Sequence, residues 1–379
     1  MAIHPSPSHD LIFVGDKVGH LGFWDARPHF PSSTSSPAST SIDERTGVHT
    51  LRPHAHGSLS SIAFDPFDGN GIYTAGYDCS LRRTDFEYGV SREIVDGDAL
   101  ADLWEGENQA LFSGLDFEGG KRGNGRIVWI SDNAGGLSRA DTRVKRGSAT
   151  RWKIDDKKVG CVSLHPLVDY LAVTSHLNRE MRIWDLRLLK STANSDDIYS
   201  PAILRARACL AKAVHGKACS SSYWDPFGKK ILSTSYDNSI KIFDIDHASF
   251  QSPPSSSISI TAKEDIPILQ PNYTVDHDTQ TGRFVSVFKA QWSPIVAHHR
   301  TGERVESHWT VGNMRRYVDI YDGEGELLNQ LWDPDHVTAV PAVTASHPGR
   351  IDRAYGASAS GKVTFWAPGD QDFGDEGSG

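Results

Sequence analysis

The chain has 379 residues, of which 38% are hydrophobic and 23% charged, enough apolar material for a large core and too much for general disorder. A formal net charge of −9 counts against a body coated in positive charge but leaves room for one basic face, because binding responds to local potential. The opening MAIHPSPSHD does not have the make-up of a secretory signal, and no apolar run approaches the roughly 18 residues that span a membrane.

Taken in chain order, the predicted elements repeat. His4-Pro5 opens a first unit, with an apolar strand, a turn in GDKVG and a second strand closing as LGFWD at Asp25. Residues 31–41, PSSTSSPASTS, read as a mobile Ser/Pro-rich loop. Asp65-Pro66 opens a unit closing as LRRTD at Asp85, and a unit without proline, RIVWISDNAGGLSRADTR, closes at Asp141. His165-Pro166 leads to MRIWD at Asp185, with a second polar loop at 191–197. Asp225-Pro226 leads to IKIFD at Asp244, with a third loop at 252–259. Ser293-Pro294 leads to VDIYD at Asp322 and His347-Pro348 to VTFWA, where Ala367 takes the Asp place. The proline-to-closing interval is 20, 19, 19, 18 and 18 residues in five units and 28 in the unit starting at Pro294, which therefore carries an insertion.

Seven units of short paired strands cannot each bury a sheet face alone, but packed radially they can, as a β-propeller. The aromatic-Asp closings and the histidines of HAHGSLSSIAF and VHGKACSSSYW resemble those of WD-repeat proteins. The fold class expected is all-β, a seven-bladed WD-repeat propeller over residues 1–368, with an acidic, disordered tail at 369–379. The first unit begins at what should be an inner strand and the last ends at its third strand. An N-terminal closing strand is therefore expected to be missing, which would expose an open sheet edge.

Nothing in the sequence requires an enzyme or a cofactor. The loop GGKRGNG (119–125) lacks the Gly-Lys-Ser/Thr ending of a phosphate cradle and lies between strands, so it reads as a hairpin. His54 and His56 in HAH, and His298 and His299 in AHHR, have no third ligand marked nearby. His56 and His215 read instead as structural histidines of the repeat. Cys79, Cys161, Cys209 and Cys219 are irregularly spaced and form no C-x-x-C pair, which fits reduced thiols of a cytosolic or nuclear protein.

The basic residues are more informative. In a propeller the turn between second and third strands shares a face with the link into each first strand. Lys17, Arg315 and Arg316 occupy such turns, while Lys157, Lys158, Lys217 and Arg283 occupy such links, with Tyr77, Tyr236 and Phe284 among them. Lysine and arginine neutralise phosphates and aromatic rings stack on or wedge between bases, so the expected ligand is nucleic acid.

The segments GDKVGHLGFWD, GYDCSLRRTDF, SHLNREMRIWDLR, TSYDNSIKIFD, TGRFVSVFKAQWSP and VGNMRRYVDIYD resemble the DNA damage-binding WD-repeat family. That family includes the small subunit of the UV-damaged-DNA-binding complex and fungal relatives that bind DNA with a preference for UV-damaged DNA. The resemblance implies duplex contacts from Lys17 and Lys158, joined by Lys217 and Arg315 on the same face. It also implies a probing hairpin at Gly282, Arg283 and Phe284, whose first position is bulkier in the family. WDLR, with Trp184, Asp185 and Arg187, is similar to the motif by which WD-repeat proteins dock on cullin-4 ligase adaptors. The expectation is a nuclear, non-enzymatic protein with double-stranded DNA as its partner and a preference for damaged or distorted duplex. Chromatin proteins are further candidate partners, and the alternative is an interaction scaffold or cullin-4 substrate receptor.

Overall fold

The computed structural model describes residues 1–26, 48–97, 110–118, 126–144, 149–193, 200–250, 266–279, 287–298 and 301–368. Within them the repeat units become seven antiparallel sheets. Sheet one contains β1 (Ala2–Ile3), β2 (Leu11–Gly15), β3 (Leu21–Asp25) and β4 (Val48–Leu51). Sheet two contains β5 (Leu59–Phe64), β6 (Gly71–Gly76), β7 (Ser80–Asp85) and β8 (Val90–Asp96). The unit without proline forms sheet three, with β9 (Phe112–Phe117), β10 (Ile127–Asp132), β11 (Gly136–Asp141) and β12 (Ala149–Lys153). Sheet four has β13 (Val159–Leu164), β14 (Leu171–His176), β15 (Glu180–Asp185) and β16 (Cys209–Val214). Sheet five has β17 (Cys219–Trp224), β18 (Lys230–Ser235), β19 (Ser239–Asp244) and β20 (Tyr273–Asp276). Sheet six has β21 (Gln291–Trp292), β22 (His308–Gly312), β23 (Val318–Asp322) and β24 (Leu327–Leu331). Sheet seven has β25 (Val343–Ser346), β26 (Ala354–Ala357) and β27 (Val363–Trp366), three strands among the described residues.

First strands of neighbouring sheets touch, β5 with β9, β9 with β13 and β13 with β17, so they form an inner ring. The fold is a seven-bladed β-propeller. Apolar clusters join successive sheets: Phe13 and Ile72 link one to two, Tyr73 and Val128 two to three, and Trp129 and Trp184 three to four. Ile183 and Ile231 link four to five, Leu232 and Trp309 five to six, and Ile12 and Tyr355 seven to one. Each sheet thus buries its faces only against neighbours, which is why no unit could fold alone.

The His-Pro turns clamp adjacent sheets on one face of the ring. The ring nitrogen Nε2 of His4 meets Gly69 O at 3.2 Å, that of His165 meets Gly228 O at 2.9 Å, and that of His347 meets His9 O at 2.8 Å. The last of these joins sheet seven to sheet one, where the Tyr355 hydroxyl also donates to Asp10 Oδ1 (3.0 Å). The insertion after Pro294 lies between β21 and β22 and carries a bridge between Ala297 and Arg304. Between sheets six and seven is a cleft of about 600 Å³, with Leu328, Leu331, Ile351 and Trp366 in its walls.

Buried polar chains tie a sheet to the link that enters it. Trp184 Nε1 donates to Thr174 Oγ1 (2.7 Å), which lies 2.7 Å from His176 Nε2. Indole can only donate, so the threonine proton goes to Nε2 and the His176 Nδ1–H faces Asp155 Oδ2 at 3.0 Å. The same carboxylate holds Arg182 Nη1 at 2.7 Å, and both Asp155 and Arg182 are almost wholly buried. In sheet two the corresponding chain runs from Thr74 through His54 to Asp78, with 2.8 Å at each step. The structural histidine there is therefore His54, not His56, which is exposed. His215 is buried as expected, with Nε2 3.2 Å from Ser233 Oγ.

The all-β class holds, with two short helices, α1 (Leu186–Lys190) and α2 (Pro201–Ala208), in the connection between β15 and β16. Asp185 caps the first, and Ser200 caps the second by accepting from Ile203 N, with Pro201 following. Of the polar loop at 191–197, residues 191–193 form a turn after α1, and Thr192 is buried, accepting from Trp152 Nε1 (3.0 Å). The other two Ser/Pro-rich loops, the hairpin loop 119–125 and the tail 369–379 lie outside the described residues apart from their flanks.

Asp155 is the only carboxylate among the described residues that contacts both His176 and Arg182. Asp155→Ala leaves the buried guanidinium with Glu180 as its one carboxylate partner, beside the Ile154 carbonyl, and breaking such a pair costs about 3–5 kcal/mol. Urea denaturation should register that loss.

Candidate nucleic-acid interface

Links into sheets two, four, five and six are tied by backbone hydrogen bonds to turns between second and third strands. On the side of the sheet being left, His54 N donates to Gly19 O (3.3 Å), Ile154 N to Gly135 O (2.8 Å), His215 N to Arg179 O (2.8 Å) and His277 N to Asn238 O (3.0 Å). On the side being entered, Tyr77 N donates to Ser58 O (2.9 Å), Leu177 N to Lys158 O (3.0 Å) and Tyr236 N to Ala218 O (3.0 Å). Links and turns therefore share one face. Gly19 sits at φ +91°, and a Cβ there would overlap the His54 carbonyl oxygen, so this approach requires glycine.

Lys17 is exposed on the turn of sheet one. Its neighbour Asp16 is turned to local work, accepting from the backbone N–H of Val18 and of His20, both at 2.8 Å. Lys217 is exposed on the link into sheet five, where its carbonyl accepts from Ser235 Oγ (3.2 Å). Arg315 is exposed on the turn of sheet six, which Asn313 Oδ1 organises by accepting from Arg315 N (2.8 Å) and Tyr317 N (3.2 Å).

Lys158, on the link into sheet four, reaches across to sheet two. Its Nζ donates to Tyr77 Oη (3.0 Å) and stands 5.5 Å from the centre of the Tyr77 ring. Lys17, Lys158, Lys217 and Arg315 thus come from four sheets onto one face. Gly282, Arg283 and Phe284 lie outside the described residues. The link that carries them is anchored before them by Thr279, whose Oγ1 donates to Ser235 O (3.0 Å) and whose N–H donates to Asn238 Oδ1 (3.3 Å).

One basic residue was not singled out from the sequence. Lys289 lies between Phe288 and Ala290, both fully buried. Phe288 O accepts from Ser220 Oγ (3.3 Å) and Ala290 N donates to Thr234 Oγ1 (3.1 Å), so the segment is pinned against sheet five. The available signal was its place between two apolar residues just ahead of β21.

The WDLR residues have different surroundings. Trp184 and Asp185 are buried, and Arg187 folds back on its own sheet, pairing with Asp185 Oδ2 (2.6 Å) and stacking over the Tyr170 ring at 3.5 Å. Among the described residues no group of three or more His, Cys, Asp or Glu side chains has the geometry of a metal site. His298 is on the sheet-six insertion and His299 lies outside the described residues. All four cysteines are buried thiols, and burial pushes the Cys209 and Cys219 thiols up to about 12.

A family model described as WD domain, G-beta repeat, matches residues 209–244, which run from β16 to the closing Asp244. A DNA damage-binding protein CMR1 of Cryptococcus neoformans is 34% identical over 98% of this chain and 67% of its own length. The chain belongs to the DNA damage-binding protein CMR1 family. Members from Neurospora crassa (33% identity, 97% of this chain, 63% of the relative) and Mycosarcoma maydis (29%, 97% and 70%) match over the same extent. The chain thus spans about two thirds of the length of these CMR1 proteins. Among solved structures, the Cps50 (Swd1) β-propeller domain of Myceliophteria thermophila superposes with a TM-score of 0.59 at 12% identity, covering 97% of this chain and 95% of that one. That likeness concerns the fold.

The interface rests on buried neutral histidines. Burial, and then Arg182 beside it, holds His176 down to about 4 against the pull of Asp155, and burial followed by Lys241 does the same to His215. Burial also lowers His4, His277, His308 and His347. Asp116, raised by burial to about 6, acts in the opposite sense. A histidine depressed in the folded state gives stability that is present above its unfolded value of 6.5 and is lost as pH falls towards 4. The histidines outnumber Asp116, so the melting temperature should be lower at pH 5 than at pH 7; equal values at the two pH values would contradict these assignments.

Proposed function

We propose that this chain binds double-stranded DNA through the link-and-turn face, with a preference for damaged or distorted duplex, in the nucleus and without catalysis. The observation that carries the reading is the gathering of Lys17, Lys158, Lys217 and Arg315 from four sheets onto one face, with Lys158 held at the Tyr77 hydroxyl. The printed name of the relatives, DNA damage-binding protein, supports the same reading.

The physics is a division of labour. Cations on one face neutralise phosphates by displacing condensed counterions, which gives affinity without sequence preference. Selectivity requires a different contact. Arg283 and Phe284 supply a cation and a flat apolar ring on the link into sheet six, suited to pressing between bases. A lesion lowers the cost of unstacking, so the same wedge is accommodated more cheaply at damaged sites.

Fluorescence anisotropy with intact and irradiated duplexes tests this. Four phosphate contacts give a slope of about −4 in log K against log salt. Lys158→Glu should weaken binding to both duplexes at least tenfold, whereas Arg283→Ala with Phe284→Ala should cost more on the irradiated one. Salt-insensitive or undetectable binding by the unaltered protein would sink the DNA reading. An equal loss on both duplexes from the double variant would remove the wedge and leave DNA binding standing.

A further inference from the structure

The first residue after the second strand of each sheet shows a division that the cations of this face do not explain. In four sheets it is polar and its side chain is engaged by the main chain. Asp16 Oδ1 accepts from Val18 N and His20 N, and Asn133 Oδ1 accepts from Leu111 N (2.8 Å). Asn313 Oδ1 accepts from Arg315 N and Tyr317 N, and Ser358 Oγ from Lys362 N (3.3 Å). In sheets two, four and five the same position is Tyr77, Leu177 and Tyr236. There the next residue organises the turn: Asp78 Oδ1 accepts from Ser80 N (3.2 Å), Asn178 Oδ1 from Glu180 N (3.1 Å) and Asp237 Oδ1 from Ser239 N (3.2 Å). What the turn takes from Tyr77, Leu177 and Tyr236 is their main chain, through the N–H groups bonded to the links.

Tyr77 and Leu177 are large, apolar and exposed, 37% and 50% respectively. Single exposed apolar residues are ordinary on a protein surface, but these two are joined through one cation. Lys158 Nζ donates to Tyr77 Oη (3.0 Å) and stands 5.5 Å from the ring centre, while Lys158 O accepts from Leu177 N (3.0 Å). One lysine thus has an aromatic ring of sheet two at its head and a leucine of sheet four at its base. Its ammonium keeps two further N–H groups and the phenol keeps its O–H, enough to hold phosphate oxygens. Beside these donors lie a flat ring and an aliphatic side chain open to water.

A closed duplex makes little use of such a surface, because it shows phosphates, sugars and polar base edges while its base faces are stacked inside. Opened DNA exposes the base faces, which rest on aromatic and apolar side chains set beside cations. We propose that Tyr77 and Leu177, on either side of Lys158, form a base platform, and that the preferred ligand of this face is duplex DNA with locally opened, unstacked bases. Lys158 takes a phosphate of the opened strand, and the neighbouring bases lie on the Tyr77 ring and against Leu177. The platform rests on the DNA reading above and narrows its substrate class. It differs from the wedge of Arg283 and Phe284, because it receives bases that are already unstacked.

Fluorescence anisotropy with a closed duplex, and with the same duplex carrying a short central bubble of unpaired bases, tests the platform. The unaltered protein should bind the bubble about tenfold more tightly or better. Tyr77→Ala with Leu177→Ala should weaken binding to the bubble about tenfold and leave the closed duplex nearly unchanged. The salt slope should stay the same on both, since no cation is lost. Tyr77→Phe should keep most of the preference, because the ring remains. Both side chains are exposed, so the melting temperature should not change in either variant. Equal binding of bubble and closed duplex by the unaltered protein, or an equal loss on both from the double alanine variant, overturns the platform and leaves DNA binding standing. Failure to bind either duplex removes the DNA reading and the platform together.

Discussion

The arrangement depends on the pair of backbone hydrogen bonds that the links into sheets two, four and five make as they pass from one sheet to the next. One bond joins each link to the turn of the sheet it leaves and another to the turn of the sheet it enters, as at His215 with Arg179 and Tyr236 with Ala218. Because these are main-chain bonds, they hold links and turns in register whatever side chains they carry. The side chains are then free to vary, and in this chain several of them are cationic. A net charge of −9 is compatible with a basic face because the rest of the ring carries the acid.

The opposite face is closed by side chains. His4, His165 and His347 reach from their proline turns to carbonyl groups of the adjacent sheet, and His347 does so across the junction of sheets seven and one. Asp225 has the analogous position in its unit and accepts from Ser307 Oγ of sheet six (2.9 Å). Four of the six dipeptides that mark the repeat in the sequence are thus inter-sheet contacts, whereas Asp65 accepts from Arg83 Nε of its own sheet (2.8 Å). The ring is held by apolar clusters between sheets, by these clamps on one face and by the links on the other.

The seven units and the shared face were legible in the sequence because they depend on spacing: proline turns, aromatic-Asp closings and links of similar length. Even the unit without proline was visible, since Asp132 and Asp141 keep its turn and closing. What spacing could not give was the choice between neighbours. His56 adjoins the glycine before the strand, yet His54 is the residue whose N–H meets Gly19 O and whose ring turns inward to Thr74 and Asp78. The helix of residues 201–208 was announced by a Ser-Pro capping pair but lay within what read as one long connection. Lys289 was passed over because a single lysine among apolar residues looks like an exposed interruption, whereas the burial of Phe288 and Ala290 shows its segment packed against sheet five.

Hydrogen exchange with and without a saturating duplex tests the central claim most directly, because it maps the contact without altering a residue. The account predicts new protection in the turns at 16–20 and 313–317 and the links at 155–158 and 215–218, with little change on the His-Pro turns at 165–170 and 347–353. Protection confined to the His-Pro face or to the outer strands would contradict it.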